Sequence, residues 1–161
     1  MEVRQAHGTI NIPLFWAGLV KSSERMENRP LRILLVEDDG SIARVIAIAM
    51  QGFGQPYQLD QAYSAEEGLE LWGHGGYDLV LSYYNLRGMN GIVMIEQLKE
   101  KAPDLPTVIF TAYDDAAVRR AARNAGVSRF IAKPFMIDEM IDVARALLPI
   151  RTSALGSSSA E

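Results

Sequence analysis

The segment Leu31–Asp39 has the sequence LRILLVEDD, a mostly apolar run that is closed by three acids. A short apolar run of this kind is typical of a strand buried on both faces of a parallel sheet. A helix is predicted soon after it, because apolar residues recur at spacings of three and four in Ile42, Val45, Ile46 and Ala49. We therefore expect a strand followed by an amphipathic helix.

The same alternation of strand and helix continues along the chain. Four further strands are predicted over Tyr57–Ala62, Asp78–Ser82, Thr107–Thr111 and Arg129–Ala132. The helices that follow them are predicted behind the capping residue Ser64, over Ile92–Lys101, on the apolar face of Val118, Ala121, Ala122 and Ala125, and over Met136–Leu148. Such alternation predicts right-handed parallel βαβ units. The predicted fold class is α/β, a doubly wound five-stranded parallel sheet in the flavodoxin-like order 2-1-3-4-5.

The composition narrows the class of protein. A chain of 161 residues with 48% hydrophobic residues has the size and make-up of one globular domain. It contains no cysteine, which excludes a disulfide scaffold, a thiolate zinc site and a cysteine nucleophile. The net charge of −4 leaves no electrostatic footprint for nucleic acid, so we expect no nucleic-acid partner.

Three regions are predicted along the chain: an irregular leader over residues 1–30, the domain over 31–148, and a disordered tail over 149–161 that is rich in Ser, Gly and Ala. The apolar stretch Thr9–Val20 is shorter than the roughly 20 residues that cross a bilayer. Its flanks do not resemble those of a signal peptide. We therefore expect a cytoplasmic protein with no membrane partner.

The leader has two interpretations. Met26 opens the segment MENRPLRILLVEDD, which resembles the start of a protein. Residues 1–25 are then either an irregular leader that the cell does not make or a short docking peptide anchored by Phe15 and Trp16. A proline and a glycine interrupt any helical pattern there, which favours the irregular leader.

Polar side chains are expected at the carboxyl ends of the predicted strands, where ligands bind to open α/β sheets near the switch in strand order. Glu37 and Asp38 follow the first strand, Thr111 ends the fourth, and Lys133 follows the fifth. Tyr83 follows the third strand, where a reactive group would complete the set. We therefore predict a site at this edge of the sheet in which Tyr83 stands in place of a reactive group.

Four segments in order, ILLVEDD, YDLVLSYYNLRGMNG, VIFTAYDD and RFIAKPF, resemble the receiver domain of bacterial two-component response regulators. In that family, two acids after the first strand and an aspartate at the end of the third hold Mg²⁺. The aspartate accepts a phosphoryl group from a histidine kinase. A Thr or Ser after the fourth strand and a Lys after the fifth bind the phosphoryl oxygens.

The resemblance implies a role for each matching residue. Glu37 and Asp38 match the acidic pair, and Asn85 matches the residue whose backbone carbonyl completes the metal site. Tyr83 falls at the phosphoacceptor position, and Arg87 falls where a proline is usual. The positions that bind phosphate or switch conformation in the family are matched by Thr111, Phe130 and Lys133.

Tyr83 changes the chemistry that the resemblance implies. A labile acyl phosphate needs a carboxylate nucleophile, whereas a phenol with a pKa near 10 is neutral and would form a stable aryl ester. We therefore predict no phosphorylation of the family's kind. We also expect weak or absent Mg²⁺ binding at a vestigial set of Glu37, Asp38 and Asn85, with little room beside the tyrosine ring. Without a metal, Lys133 is predicted to pair with the two acids.

A partner surface is predicted on the fourth and fifth helices. Three basic residues cluster on the fourth helix, and a second apolar row on the fifth helix is wider than a surface helix needs. A solvated face is the other interpretation of the basic cluster. The resemblance implies that this surface meets a histidine kinase, another receiver, an output protein or a second copy of the chain. Its candidate residues are Arg119, Arg120, Arg123, Met136 and Met140.

These expectations combine into one predicted function: a stand-alone, atypical receiver that acts as a phosphorylation-independent protein-interaction module in two-component signalling, with no enzymatic activity and no cofactor. One alternative is a functional receiver that is phosphorylated at another residue. The other is a small-ligand-binding domain of the same fold, which is disfavoured because no glycine-rich phosphate loop follows the first strand.

Overall fold

The computed structural model describes residues 29–149, and in this range five strands alternate with five helices. The strands are β1 Leu31–Val36, β2 Tyr57–Ala62, β3 Leu79–Tyr83, β4 Thr107–Thr111 and β5 Arg129–Ala132. The helices are α1 Gly40–Met50, α2 Ala65–Gly73, α3 Gly91–Lys101, α4 Ala116–Asn124 and α5 Ile137–Leu147. The predicted alternation is confirmed.

The sheet has the order β2-β1-β3-β4-β5, and every neighbouring pair is parallel. This confirms the predicted α/β class and strand order. Val36 is opposite Ser82 in the β1–β3 register, so Glu37 and Tyr83 come next to each other at the carboxyl edge. Tyr83 is in turn opposite Phe110 of β4. The strand order therefore brings the acids of the first segment and the tyrosine of the third into one place.

Two hydrophobic cores lie on the two faces of the sheet. Alternate residues of β1 belong to the two cores. Leu31, Ile33 and Leu35 pack with α1 and α5, whereas Leu34 and Val36 pack with α2, α3 and α4. Each fully buried Leu or Ile side chain contributes about 1.5–3 kcal/mol of transfer free energy. A strand covered on both faces needs apolar side chains at every position, which explains the unbroken run ILLV.

Side-chain caps mark the starts of α1 to α4, whereas α5 has no side-chain cap hydrogen bond. The Asp39 carboxylate accepts from Ser41 N and Ile42 N at the start of α1. Ser64 Oγ accepts from Glu67 N at 3.1 Å, as the predicted capping box requires. The Glu67 carboxylate accepts from Tyr63 N, one residue before the usual position. These contacts satisfy backbone N–H groups that have no partner inside the helix.

Three details differ from the sequence predictions. Strand β3 begins at Leu79 rather than Asp78, and the Asp78 carboxylate accepts from Arg32 N of the neighbouring strand β1 at 2.8 Å. Helix α1 buries Ala43, Ile46 and Met50, which leaves Val45 on the outside with 49% of its surface exposed. Ala121 of α4 is exposed for the same reason, since that helix turns Val118 and Ala122 inward.

The flanking predictions concern residues that are mostly outside the described range. Residues 1–28 and 150–161, which include the candidate docking peptide and most of the predicted tail, are not described. At the start of the described range, Arg29 forms a two-pronged ion pair with Asp78 at 2.8 and 2.9 Å. Within residues 29–149, none of the helices has the length and apolar character needed to span a bilayer.

Candidate functional site

An open cleft of about 460 Å³ lies at the carboxyl edge of the sheet, beside the ends of β1 and β3. It contains four residues that the sequence singled out: Glu37, Asp38, Tyr83 and Asn85. It also contains four others, Asp39, Gly40, Ile42 and Arg87. The Tyr83 ring stacks on Phe110 of β4 and also lines this cleft.

Glu37 is fully buried at the end of β1. Its Oε1 accepts a hydrogen bond from Asp39 N at 3.0 Å, whereas its Oε2 has no hydrogen-bond partner among the residues described. Burial raises the pKa of the Glu37 carboxyl to about 7, the Asp39 N–H and the charge of Lys133 oppose the rise, and hydrogen bonding of the protonated carboxyl with Asp38 and the charge of Asp38 add to it. The carboxyl is therefore close to half-protonated at neutral pH.

Asp38 and Asp39 are held differently. Asp38 Oδ2 lies 3.9 Å from Arg87 Nε, and the Arg87 side chain is 97% exposed. An ion pair this open contributes little to stability, because solvent screens it. The Asp39 carboxylate is occupied by capping α1. Among residues 29–149, no cation forms a salt bridge with the Glu37 carboxylate.

Tyr83 is half-buried at the last position of β3. Its ring stacks on Phe110 with centroids 5.8 Å apart and planes 27° apart, as expected for side chains opposite each other on neighbouring strands. Burial raises the pKa of the Tyr83 phenol, and the nearby charge of Glu37 adds to the rise. The phenol is therefore neutral at physiological pH.

The predicted pairing of Lys133 with the acids is wrong. Lys133 Nζ lies 4.1 Å from the centroid of the Tyr83 ring and 5.6 Å from that of Phe110, and it forms no salt bridge with Glu37 or Asp38. The ammonium group therefore makes a cation–π contact instead of the predicted ion pair. Lys133 acts on Glu37 only through space, where it lowers the pKa.

The other two phosphate- or switch-type positions do not line the cleft. Thr111 is fully buried, and its Oγ1 accepts from Tyr113 N at 3.0 Å, which shapes the loop after β4. Phe130 is half-buried on the opposite face of the sheet from Phe110, and the Arg119 guanidinium carbon lies 4.7 Å from its ring centroid. Arg119 also pairs with Asp114 in the loop after β4.

The candidate residues of the predicted partner surface differ in their exposure. Arg119, Arg120 and Arg123 are exposed on α4, although Arg119 is engaged with Phe130 and Asp114. Met136 is 74% exposed, but Met140 is 1% exposed and belongs to the core under α5. Met140 was wrongly placed on the surface because α5 turns Met140, Ile141 and Ala144 toward the sheet together.

The cleft offers a poor set of metal donors. Mg²⁺ requires near-octahedral oxygen ligands and is usually held through carboxylates. Across residues 29–149, no three His, Cys, Asp or Glu side chains are placed to hold a metal ion together. Glu37 Oε2 is available, but Asp38 faces Arg87, and Tyr83 contributes a neutral phenol where the resemblance implies a carboxylate. The donor set is one carboxylate short.

The sequence identified Glu37, Asp38, Tyr83 and Asn85 through their positions after strands. It did not place Arg87 or Ile42 in the site. Arg87 follows β3 in a turn whose path the sequence does not specify. The apolar spacing in α1 predicts that Ile42 lies on the buried face of that helix. The position of Ile42 in the first turn of α1, which starts at the cleft, is the signal that could have identified this residue.

Comparison with known proteins agrees with this geometry. A model of the response regulator receiver domain matches residues 33–145. The chain is 33% identical over 125 residues to the transcriptional regulatory protein DltR of Streptococcus agalactiae serotype III (strain NEM316), covering 78% of this chain and 54% of DltR. It is 30% identical over 119 residues to the response regulator MprA of Mycobacterium sp. (strain KMS), covering 74% and 51%. The chain spans about half the length of these relatives.

Solved structures match over a similar range. One is a CheY-like response regulator receiver domain protein from Methanospirillum hungatei JF-1, with a TM-score of 0.68, 25% identity, and coverage of 74% of this chain and 94% of that one. Another is the signal receiver domain of an HD domain-containing protein from Pseudomonas fluorescens Pf-5, with a TM-score of 0.69, 25% identity, and coverage of 74% and 94%. With the sheet order and the acidic cleft, these matches show that the chain belongs to the response regulator receiver domain family of two-component signalling.

Proposed function

We propose that this receiver domain works without phosphorylation, as a protein-interaction module of two-component signalling. The observation that carries the proposal is Tyr83 at the end of β3, with its ring in contact with both Phe110 and the ammonium group of Lys133. Transfer of a phosphoryl group to the protein requires an activated nucleophile. A neutral phenol is not activated, and burial followed by the nearby charges of Glu37 and Asp38 raises its pKa further instead of lowering it.

Two further groups support the proposal because each is already engaged. The ammonium group of Lys133 lies on aromatic rings rather than in the cleft. The hydroxyl oxygen of Thr111 is buried and accepts from the Tyr113 N–H. To bind a phosphoryl group, both side chains would have to leave these contacts.

Weak Mg²⁺ binding is part of the same proposal. Two carboxylates remain, one of them with a pKa raised to about 7, and Arg87 adds positive charge beside the other. If Mg²⁺ bound, Glu37, Asp38 and the backbone carbonyl of Asn85 would hold it, and it would offset the charge of an incoming phosphoryl group. The loss of one carboxylate and the competing guanidinium both weaken that site.

The partner we propose is a protein of the signalling pathway: a histidine kinase, another receiver, an output protein or a second copy of this chain. The relatives DltR and MprA are named as a transcriptional regulatory protein and a response regulator. The exposed side chains of Arg120, Arg123 and Met136 form the candidate contact surface on α4 and at the start of α5. The domain itself is proposed to bind neither nucleic acid nor a membrane, and to act by binding rather than catalysis.

Incubation with acetyl phosphate and Mg²⁺, followed by intact-mass measurement, tests the proposal. We expect no added phosphoryl group on the natural chain. The variant Tyr83→Asp restores a carboxylate at the end of β3 and serves as the positive control, with a gain of one phosphoryl group and tighter Mg²⁺ binding by calorimetry. A phosphoryl group on the natural chain would overturn the proposal, and its release by neutral hydroxylamine, which cleaves acyl phosphates but not phosphate esters, would indicate a carboxylate other than position 83.

A further inference from the structure

We propose that the acidic cleft holds a basic side chain of a protein partner, with the guanidinium group of an arginine in the place that a divalent metal would occupy. This inference rests on the proposed function, because it names the chemistry of the partner at the same site. It is carried by a fully buried carboxylate with an unsatisfied oxygen on the wall of an open cleft.

Glu37 is the principal acceptor. Its Oε1 receives one hydrogen bond from Asp39 N, and its Oε2 receives none from the residues described. A buried carboxylate oxygen is unfavourable until a donor satisfies it. Because Glu37 lines the cleft, a donor that enters the cleft comes next to this residue.

The charges around the cleft favour a cation. Glu37, Asp38 and Asp39 lie on one wall. Of the two nearby cations, Lys133 rests on the Tyr83 ring, and Arg87 approaches Asp38 only to 3.9 Å from an almost fully exposed position. Neither donates to Glu37, so the pocket keeps a negative potential that an incoming cation can neutralise.

A guanidinium group suits this donor set better than Mg²⁺ does. Mg²⁺ demands near-octahedral geometry and short oxygen distances. A guanidinium carries five N–H donors in a plane and can serve two carboxylates at once without a third. The cleft volume of about 460 Å³ is also large for a single ion and sufficient for the end of a side chain.

The surface next to the cleft indicates that the cation belongs to a protein segment. Helix α1 starts at the cleft, where Ile42 forms part of the lining. Val45 and Ile48 follow along the same helix and are about half and 60% exposed. A free small cation would leave these apolar side chains in water, whereas a peptide with apolar residues beside its arginine would cover them.

Titration of the ¹⁵N-labelled full chain with N-acetyl-L-argininamide at pH 8, followed by NMR, tests the cation site. We expect saturable shifts of the Asp39, Tyr83 and Asn85 amides. Glu37→Gln and Asp38→Asn should each weaken binding about tenfold, the effect of losing a charge-assisted hydrogen bond. Asp104→Asn, which removes the same charge from an exposed turn at the opposite edge of the sheet, should leave binding unchanged.

Several outcomes would overturn the site. They are equal shifts with choline chloride at the same concentration, unchanged binding in both Glu37→Gln and Asp38→Asn, and saturation of the same amides by Mg²⁺ at a lower concentration than the arginine derivative. Asp38 is partly exposed and Asn is nearly isosteric with it, so that variant tests the site even if the buried Glu37→Gln variant folds poorly.

The origin of the cation is tested with the capped tripeptide acetyl-Leu-Arg-Leu-amide. It should bind at least about fivefold more tightly than N-acetyl-L-argininamide through added apolar contact, and Val45→Ser should remove the gain. Equal affinities for the two probes would indicate a free small cation and would overturn the protein-partner assignment. These measurements use no phosphodonor, so a phosphoryl adduct found in the mass experiment would reject the proposed function without deciding this site.

Discussion

At the scale of single residues, one substitution in the family pattern reorganises its neighbours. Tyr83 brings a ring where the family has a carboxylate, and the Lys133 ammonium group lies on that ring instead of in the cleft. Glu37 consequently has no salt bridge with a lysine, and its carboxyl remains buried with one unsatisfied oxygen. The electrostatics of the site therefore depend on the position of the Lys133 ammonium group.

Lys133→Met should lower the free energy of unfolding by about 0.5–2 kcal/mol, because the variant loses the cation–π contact with Tyr83. Urea denaturation of the full chain measures the change. The same substitution in a Tyr83→Leu background should have a smaller effect, since the ring is already absent. Equal losses in the two backgrounds would show that the contact does not stabilise the fold.

The pKa of Glu37 predicts a pH dependence of stability. The pKa of the Glu37 carboxyl is near its ordinary value of 4.5 when the chain is unfolded and about 7 when it is folded, so the folded state binds an extra proton between these values. The extra proton on Glu37 stabilises the folded state fully below pH 4.5, and this stabilisation is lost as pH rises through about 7. Relative to Glu37→Gln, the natural chain should lose about 2–3 kcal/mol between pH 5 and pH 8.

Urea denaturation at the two pH values, with a chelator present to exclude metal ions, measures this difference for both chains. The Gln variant cannot titrate at this position, so it reports the pH dependence of every other group. If the two chains lost stability in parallel, the carboxyl of Glu37 would not titrate in this range.

At the scale of elements, α1 and α3 both begin with glycine, but only the glycine of α3 is in close contact with another element. A Cβ on Gly91, the first residue of α3, would collide with the carbonyl oxygen of Tyr83 and lie 2.6 Å from Ser82 Oγ. A Cβ on Gly40, the first residue of α1, would meet nothing within 4 Å. The close approach of α3 to the end of β3, and with it the position of Tyr83, thus depends on Gly91.

Gly91→Ala should destabilise the domain by about 1–3 kcal/mol through overpacking against the end of β3. Gly40→Ala, at the matching position of α1, is the control and should be neutral or slightly stabilising, because alanine favours the helix. Thermal unfolding followed by circular dichroism distinguishes the two. A loss in Gly40→Ala as large as that in Gly91→Ala would contradict the packing argument.

Helix α5 provides a second comparison within one element. Met140→Ala removes a buried side chain and should cost about 2–5 kcal/mol, whereas Met136→Ala at the exposed N-cap position should change stability by less than about 0.5 kcal/mol. Chemical denaturation of both variants checks the pair. A large loss in Met136→Ala would place that side chain in the core rather than on the candidate contact surface.

At the scale of the whole molecule, the two cores share one sheet, since alternate residues of β1 belong to opposite faces. A change in either core therefore acts on the strands that support the other. We expect the domain to unfold as one cooperative unit.

Ile46→Ala in the core under α1 and α5 should shift the unfolding midpoint reported by Trp72, which packs against the other core. The measurement uses a Trp16→Phe background, so that Trp72 is the sole tryptophan. The fluorescence and far-ultraviolet circular dichroism transitions should coincide. Two separate transitions, with Trp72 insensitive to Ile46→Ala, would show that the faces unfold independently.

Much of the fold and part of the site were predictable from the sequence, for reasons that particular segments illustrate. LRILLV is apolar at successive positions because β1 is covered on both faces, and Ser64 marks the start of α2 through its own hydrogen bond. Glu37 and Tyr83 were assigned to one site because the order of parallel strands places their ends together. Helix faces were less predictable: Val45 and Met140 are apolar in either environment, and their burial depends on which elements surround them.

The sequence by itself determined the alternation of strands and helices, the parallel order and the edge at which acids and tyrosine meet, because local periodicity and turn residues encode these features. Only the tertiary structure decided that Lys133 lies on a ring rather than between two carboxylates, that Arg87 reaches the cleft, and that Glu37 keeps an unsatisfied oxygen. These features depend on distances between side chains that are remote in the chain, and such distances exist only once the sheet and its helices have packed.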